Sequence, residues 1–267
     1  MLPAFEKILE KSVYLQILDY IKSKNIIDNF QSGFRENFSC ESALQYVINE
    51  WKEACDKGRM TGVVFLDLKR AFETIDRDLL LYKLGKYGIS GTVIKWFECY
   101  LNDRRQRVKC VDVNSSERAI NVGVPQGSIL GPLLFIIYIN DMARVFKNCK
   151  YHFFADDTVL YLDEADPIKL VNKINADIES VRIWLEKNKL KLNVTKTKSM
   201  LIANQKTVNH FKNSSLAFKV QNSNLDLVSE IKYLGVIIDP NLNFKKHIDY
   251  VCKKISKKIG DEGNFKM

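Results

Sequence analysis

YHFFADDTVLYLD, residues Tyr151 to Asp163, sets two apolar runs on either side of an adjacent acid pair, Asp156-Asp157. That pattern predicts two strands joined by a tight turn with the acids at its tip. Consecutive side chains of an extended strand leave on opposite faces, so two neighbouring carboxylates approach one centre only where the chain turns. At ordinary Asp frequency an Asp-Asp pair arises by chance about once in every one or two chains of this size. The placement therefore carries the argument, and the pair alone does not.

A third acid ends another strand. GVVFLDL, Gly62 to Leu68, is almost continuously apolar and β-branched, bounded by Gly58 and by Lys69-Arg70, and reads as a buried strand. Asp67 lies near its end, where an ionised carboxylate needs water, a cation or hydrogen-bond donors; alone, it is most simply a strand-end cap or half of an ion pair. If the two strands are neighbours, three carboxylates repel one another unless a cation lies between them. An all-oxygen donor set suits a hard divalent ion and phosphoryl chemistry. His152, His210 and His247 show no spacing for zinc or for a nucleophilic triad, and His152 is most simply a strand residue.

Helical periodicity surrounds these strands, over Phe5 to Lys22, Ser42 to Cys55, Arg77 to Lys86, Val93 to Leu101, Ile129 to Phe146 and Ile168 to Lys187. Val108 to Val113 and Ala119 to Val124 are expected to pair as a hairpin. Short strands are expected near Lys198 to Ala203, Leu216 to Val220 and Ile231 to Ile238. Helices interspersed with strands and at least one hairpin give an α+β class, a mainly antiparallel sheet backed by helices.

The 267 residues are 46% hydrophobic and 27% charged, with 12 glycines and 5 prolines, so disordered and collagen-like classes are excluded. The longest apolar run, Ile129 to Ile139, is interrupted by Gly131 and Pro132 and falls short of the roughly 20 residues a membrane helix needs. No membrane partner is expected. The N-terminus lacks a secretory pattern, so an intracellular location, cytoplasmic or nuclear, is expected. Six cysteines without a CxxC spacing read as reduced thiols. The net charge of +9 favours a polyanionic partner, though it is also common among proteins without one, and is concentrated at Arg104 to Lys109 and at Lys245 to Lys258, either of which alone is more simply a solvated face.

VVFLDLKRAF (Val63 to Phe72), GVPQGSILGPLLFIIYIND (Gly123 to Asp141) and FFADDTVLYLD (Phe153 to Asp163) resemble palm motifs A, B and C of reverse transcriptases, in that order. They are most similar to non-LTR, LINE-type retrotransposon polymerases. QSGFRENFSC (Gln31 to Cys40) resembles the preceding fingers motif, LKLNVTKTK (Leu190 to Lys198) motif D, and EIKYLGVIID (Glu230 to Asp239) the primer-grip motif E. The resemblance implies a polymerase palm at 61–239, partial fingers at 1–60, and at 240–267 the start of a thumb or a truncated tail. The upstream arginine segment of the fingers and most of the thumb are expected to be missing.

Carried over by residue, the resemblance implies that Asp67, Asp156 and Asp157 hold two Mg²⁺ ions, with Mn²⁺ as an alternative. Phe72 would exclude a 2′-hydroxyl; Gln126 and Gly127 would contact the incoming dNTP and the template. Lys196, with Lys198 as the alternative, would serve the pyrophosphate, and Tyr233, Leu234 and Gly235 would grip the primer. The implied function is RNA-directed DNA synthesis on an RNA template from a DNA primer. A maturase-type or RNA-synthesising palm polymerase is one alternative, and a catalytically incompetent nucleic-acid-binding remnant is another. Oligomeric state is left undetermined.

Overall fold

The computed structural model describes residues 4–111, 113–125 and 127–263, so Gln126 lies outside the described residues. Its centre is β1 (Met60–Leu66), every residue of which from Thr61 onward is buried. A strand that is apolar on both faces must be covered on both, which places it in the interior of a sheet. The helices α1 (Ala4–Ser23) and α2 (Cys40–Asp56) precede it, and α3 (Arg77–Lys86) and α4 (Thr92–Leu101) follow.

A solvated ribbon comes next: β2 (Arg105–Gln106) pairs with β5 (Arg118–Ala119), and β3 (Lys109–Cys110) with β4 (Val113–Asn114). The expected pairing of Val108 to Val113 with Ala119 to Val124 is therefore replaced by one centred closer to residue 111. Val108, Val111 and Val113 are all exposed, so no buried face fixes the register and the apolar pattern misleads.

The helix α5 (Leu130–Ile139) is apolar all round and almost wholly buried, and a 3₁₀ turn (Asn140–Val145) continues it. The strands β6 (Lys150–Phe154) and β7 (Asp157–Glu164) form the hairpin expected from the sequence, with Ala155 and Asp156 as its two-residue turn. The long amphipathic helix α6 (Pro167–Lys187) is capped by the Asp166 carboxylate, which accepts from Ile168 and Lys169 N–H. Then come β8 (Lys198–Ile202), α7 (Gln205–Lys212), β9 (Lys219–Val220), β10 (Ser223–Asn224), β11 (Asp226–Leu227), β12 (Ile231–Tyr233), β13 (Val236–Ile238) and α8 (Lys245–Gly263). The segment at Ile231 to Ile238, a single short strand by its apolar pattern, is the hairpin that its resemblance to the primer-grip motif implies, turning at Leu234 and Gly235 with φ of +46° and +88°.

The five-stranded sheet has the order β11-β8-β1-β7-β6 and is antiparallel except for the short β11–β8 pair. Alternation along β1 divides its side chains between two cores. Val64 and Leu66 join Leu160, Leu201, α5 and α6, whereas Val63 and Phe65 join Val159, Tyr161, Met200, α2 and the β12–β13 hairpin. This is the α+β architecture of mainly antiparallel sheet and backing helices.

A sixth segment extends the β6 edge. Gln31 pairs with Phe153 as an isolated parallel bridge, with Ser32 N–H donating to Phe153 O and Phe153 N–H to Phe30 O, both at 2.8 Å. His152 is buried beneath it, its Nε2 2.9 Å from Ser32 Oγ. Burial, opposed by the charge of Asp28, draws the His152 pKa from the ordinary 6.5 to about 4. Between these values the unfolded chain binds a proton that the folded chain refuses, so stability falls as the pH drops. At pH 4.5 this amounts to about 2–3 kcal/mol, at 1.36 kcal/mol per pKa unit. Urea unfolding of the wild type and His152→Asn at pH 7.5 and 4.5 should show the extra loss in the wild type alone; parallel pH dependences would rule it out.

Candidate active site

The register of β1 against β7 ends with Leu66 opposite Thr158. The next residue of each chain beyond that rung is an aspartate, Asp67 and Asp157, and Asp156 occupies the adjoining turn. Directly opposed residues of an antiparallel pair leave on the same side of the sheet, so the register itself brings acids together. Burial pushes Asp156 above the usual carboxylate range, and the charge of Asp67 adds to the effect. Asp157, the first residue of β7, is exposed, with its carboxyl partly enclosed by its surroundings. That partial burial, then the charges of Asp156 and Asp67, push its pKa up to about 6.

Asp67 is fixed through its backbone by the stretch that resembles motif D. Its N–H donates to Thr197 Oγ1 at 3.2 Å, and its carbonyl accepts from Asn193 N–H at 2.8 Å. Lys196 stands exposed in the turn between those two contacts. Lys198 is committed elsewhere, donating to Thr195 O at 2.8 Å and to the Asp226 carboxylate at 2.6 Å.

Asp156 opens onto a cavity of about 420 Å³ whose walls include Phe72, Pro125, Gly127 and Ser128. Phe72 is half-buried, stacked at 4.3 Å on Phe135 of α5 and met edge-on by Phe34 at 6.1 Å, so its ring has little freedom. Gly127 has φ of +76°, and a Cβ there would meet nothing within 4 Å. The backbone is thus left bare and strained toward glycine at the cavity wall, where a ligand can approach it.

The primer-grip residues separate. Leu234 and Gly235 form the turn of β12–β13, but the Tyr233 side chain points into the second core, 5.3 Å from the Phe65 ring. Its buried hydroxyl lacks a hydrogen-bond partner, and its pKa is raised first by burial and then by the charge of Asp157. Tyr233 thus anchors the hairpin beside the acids.

Three buried polar residues that the sequence did not single out hold the cavity wall. Glu10 of α1 accepts from Ile129 N–H at 2.7 Å, at the start of α5, and from the Tyr100 hydroxyl at 2.6 Å. Arg77 spreads its guanidinium over Gly123 O at 3.0 Å, Ile120 O at 2.5 Å and Val122 O at 3.3 Å. Gln31 reaches the acid turn, its Oε1 accepting from Ala155 N–H at 3.1 Å. Each joins segments distant in sequence, and a lone Glu, Arg or Gln carries no signal of such a partner.

A second cavity adjoins the first across Glu73, Val124 and Pro125, and Arg104, Arg105 and Arg107 line it. Arg104 is paired with Glu6 at 2.7 Å, while Arg105 and Arg107 are exposed.

Residues 2–238 match the family model described as reverse transcriptase (RNA-dependent DNA polymerase). The chain belongs to the reverse transcriptase family. It is 31% identical over 258 residues to the RNA-directed DNA polymerase from mobile element jockey of Drosophila funebris, covering 93% of this chain and 27% of that protein. The jockey polymerase of Drosophila melanogaster is 25% identical, over 97% of this chain and 28% of its own. The non-LTR, LINE-type resemblance of the motifs agrees with these relatives. The chain spans little more than a quarter of the length of the curated relatives it matches. Telomerase from Candida tropicalis, in complex with a fragment of telomeric RNA, has the same fold, with a TM-score of 0.58 at 12% identity over 88% of this chain and 36% of that one. No helix among the described residues is long and apolar enough to cross a membrane.

The Arg77 clamp generates a test of the cavity wall. Arg77→Met removes a charged donor from three carbonyls and should cost about 2 kcal/mol. Hydrogen exchange should quicken at Ile120 to Val124 while β1 and β7 stay protected. Unchanged exchange in that loop would show that the guanidinium does not hold it.

Proposed function

We propose that this reverse transcriptase domain adds dNTPs to a DNA primer 3′-hydroxyl on an RNA template, and that the cavity beside Asp156 receives the nucleotide. The observation that carries this reading is the meeting of Asp156, Phe72 and Gly127 on one cavity, with Asp67 and Asp157 electrostatically coupled to Asp156. In domain terms we assign 1–60 to fingers, 61–239 to the palm and 240–267 to a thumb segment or a tail.

The family is generally metal-dependent. The donor set fits a hard divalent cation: three carboxylates, oxygen only, two of them with pKa values raised by burial and by mutual repulsion that a cation would relieve. Among the described residues no three such side chains are already gathered into a metal-holding cluster, so binding would draw the carboxylates together. Asp67 and Asp156 are assigned to two Mg²⁺ ions, or Mn²⁺, with Asp157 assisting. When bound, such ions activate the attacking hydroxyl and neutralise the triphosphate.

The protein's own groups do the positioning. The Phe72 ring, clamped between Phe34 and Phe135, closes the sugar side of the cavity and leaves no room for a 2′-hydroxyl. The bare backbone at Gly127 faces the nucleotide and template; Gln126, assigned to the same contacts by its motif, lies outside the described residues. Lys196, exposed on its turn, would give a proton or charge to the leaving pyrophosphate; the engagement of Lys198 with Thr195 O and Asp226 supports Lys196 over Lys198. Leu234 and Gly235 hold the primer end, with Tyr233 fixing the hairpin from within. The adjoining arginine cavity supplies phosphate contacts for nucleic acid, which should make binding salt-sensitive.

Primer extension on an RNA template tests the acids. Asp67→Asn and Asp156→Asn should each abolish dNTP addition, and Asp157→Asn should leave more. Near-wild-type rates in the first two would remove them from the mechanism. Salt-sensitive template binding without addition by the wild type would favour the nucleic-acid-binding remnant.

Sugar selection is tested separately. Phe72→Val should raise rNTP use relative to dNTP by about tenfold or more in kcat/KM, a difference in transition-state fit. If Phe72 serves packing alone, both substrates should fall together at a constant ratio.

A further inference from the structure

The turn that presents Asp156 is held by a side chain 124 residues earlier in the chain. Ala155, the first turn residue, has φ of +57°, a left-handed conformation that a residue with a Cβ adopts only when its surroundings impose it. The imposing contacts come from residues 31–33. Gln31 is 1% exposed, and its Oε1 accepts both Gly33 N–H at 2.7 Å and Ala155 N–H at 3.1 Å. Gly33 lies flush against the turn; a Cβ there would stand 2.2 Å from Ala155 N and 2.8 Å from Phe154 C.

The loop is itself secured. The Arg35 guanidinium donates to Gln31 O at 2.9 Å and to Asp28 O at 3.0 Å, and the parallel bridge to Phe153 fixes its register on β6. Ala155 N–H is buried with the turn, so without the Gln31 oxygen it would lose its acceptor. One amide oxygen thus satisfies the turn and the loop that presses on it.

We propose that Gln31 is a positioning residue for the polymerase reaction: it locks Ala155 in its left-handed conformation and so sets the direction in which Asp156 offers its carboxylate to the cavity. This rests on the reading of Asp156 as a metal-holding acid. A side chain at the second position of a two-residue turn moves with the peptide before it, and misplacement by an ångström can cost about a hundredfold in rate.

The full chain with Gln31→Met, which keeps the side-chain length and removes the oxygen, tests this. Amide exchange should accelerate at residues 153–157. Mn²⁺ affinity, read by electron paramagnetic resonance, should fall about fivefold. Single-nucleotide addition should lose about tenfold or more in kcat with the KM for dNTP within twofold. Adding Ala155→Gly, which takes positive φ without strain, should recover part of the Mn²⁺ affinity and of kcat. Gln31→Glu, which keeps the accepting oxygen, should retain the exchange protection.

A Gln31→Met chain with wild-type exchange, Mn²⁺ affinity and kcat would overturn the proposal, even with a lowered melting temperature. So would losses that Ala155→Gly leaves untouched. If Gln31→Met does not fold, Gln31→Asn takes its place in the same measurements, with the same results expected and the same results overturning the proposal. Failure of the underlying reading looks different: wild type and Asp156→Asn would bind Mn²⁺ equally, while the exchange at 153–157 would still decide whether Gln31 holds the turn.

Discussion

Three carboxylates brought to one end of a sheet are the constraint that the rest of the structure serves. Burial, and then the charges of their acidic neighbours, push the pKa values of Asp156 and Asp157 upward, and in an unfolded chain the acids would separate freely. The folded chain must therefore hold them against repulsion, and the means is the register between β1 and β7. That register is fixed on both faces, because a slip of one residue would exchange Val64 and Leu66 with Val63 and Phe65 between two different cores. Core packing thus supplies the energy that keeps the acids together.

The buried polar residues lie where segments meet. Glu10 joins α1 to the start of α5, Arg77 holds the loop ahead of it, and Gln31 holds the acid turn. Lys83 is a fourth, buried between Asp141 at 2.6 Å and the Tyr138 carbonyl at 2.6 Å. Burial lowers its pKa, and the Asp141 pairing opposes that. Apolar residues in these places could stabilise the fold equally well. What they could not do is fix a loop's carbonyls and amides in one orientation, which is what a cavity wall with a bare glycine backbone requires.

Much of this was legible in the sequence. The strand ending in Asp67, the hairpin carrying Asp156 and Asp157 and the helices around them follow from apolar periodicity, because their faces are buried and their register is enforced. The ribbon at 105–119 departs from the apolar pattern because that enforcement is lacking there. Tyr233 shows a different limit: its motif marks the hairpin, but which side faces the core depends on a two-residue turn and on Phe65, far away in sequence. Gln31 was part of a recognisable motif, yet its partner is 124 residues on and is a backbone amide, which no side-chain pattern reveals.

The division between what was read and what was missed follows the division of labour in the site. Acids that must meet are carried by elements whose geometry is set by repeating backbone and buried faces, so they leave a periodic trace. The groups that position the site act each at a single place, on particular amides and carbonyls, and leave none. Ala155 joins the two classes: it belongs to the hairpin by sequence, but its left-handed backbone conflicts with its own preference and depends on contacts from residues 31–33. A local preference overruled at the residue before Asp156, beneath a buried and doubly engaged glutamine oxygen, marks the place where the fold gives up local ease for the direction of a carboxylate.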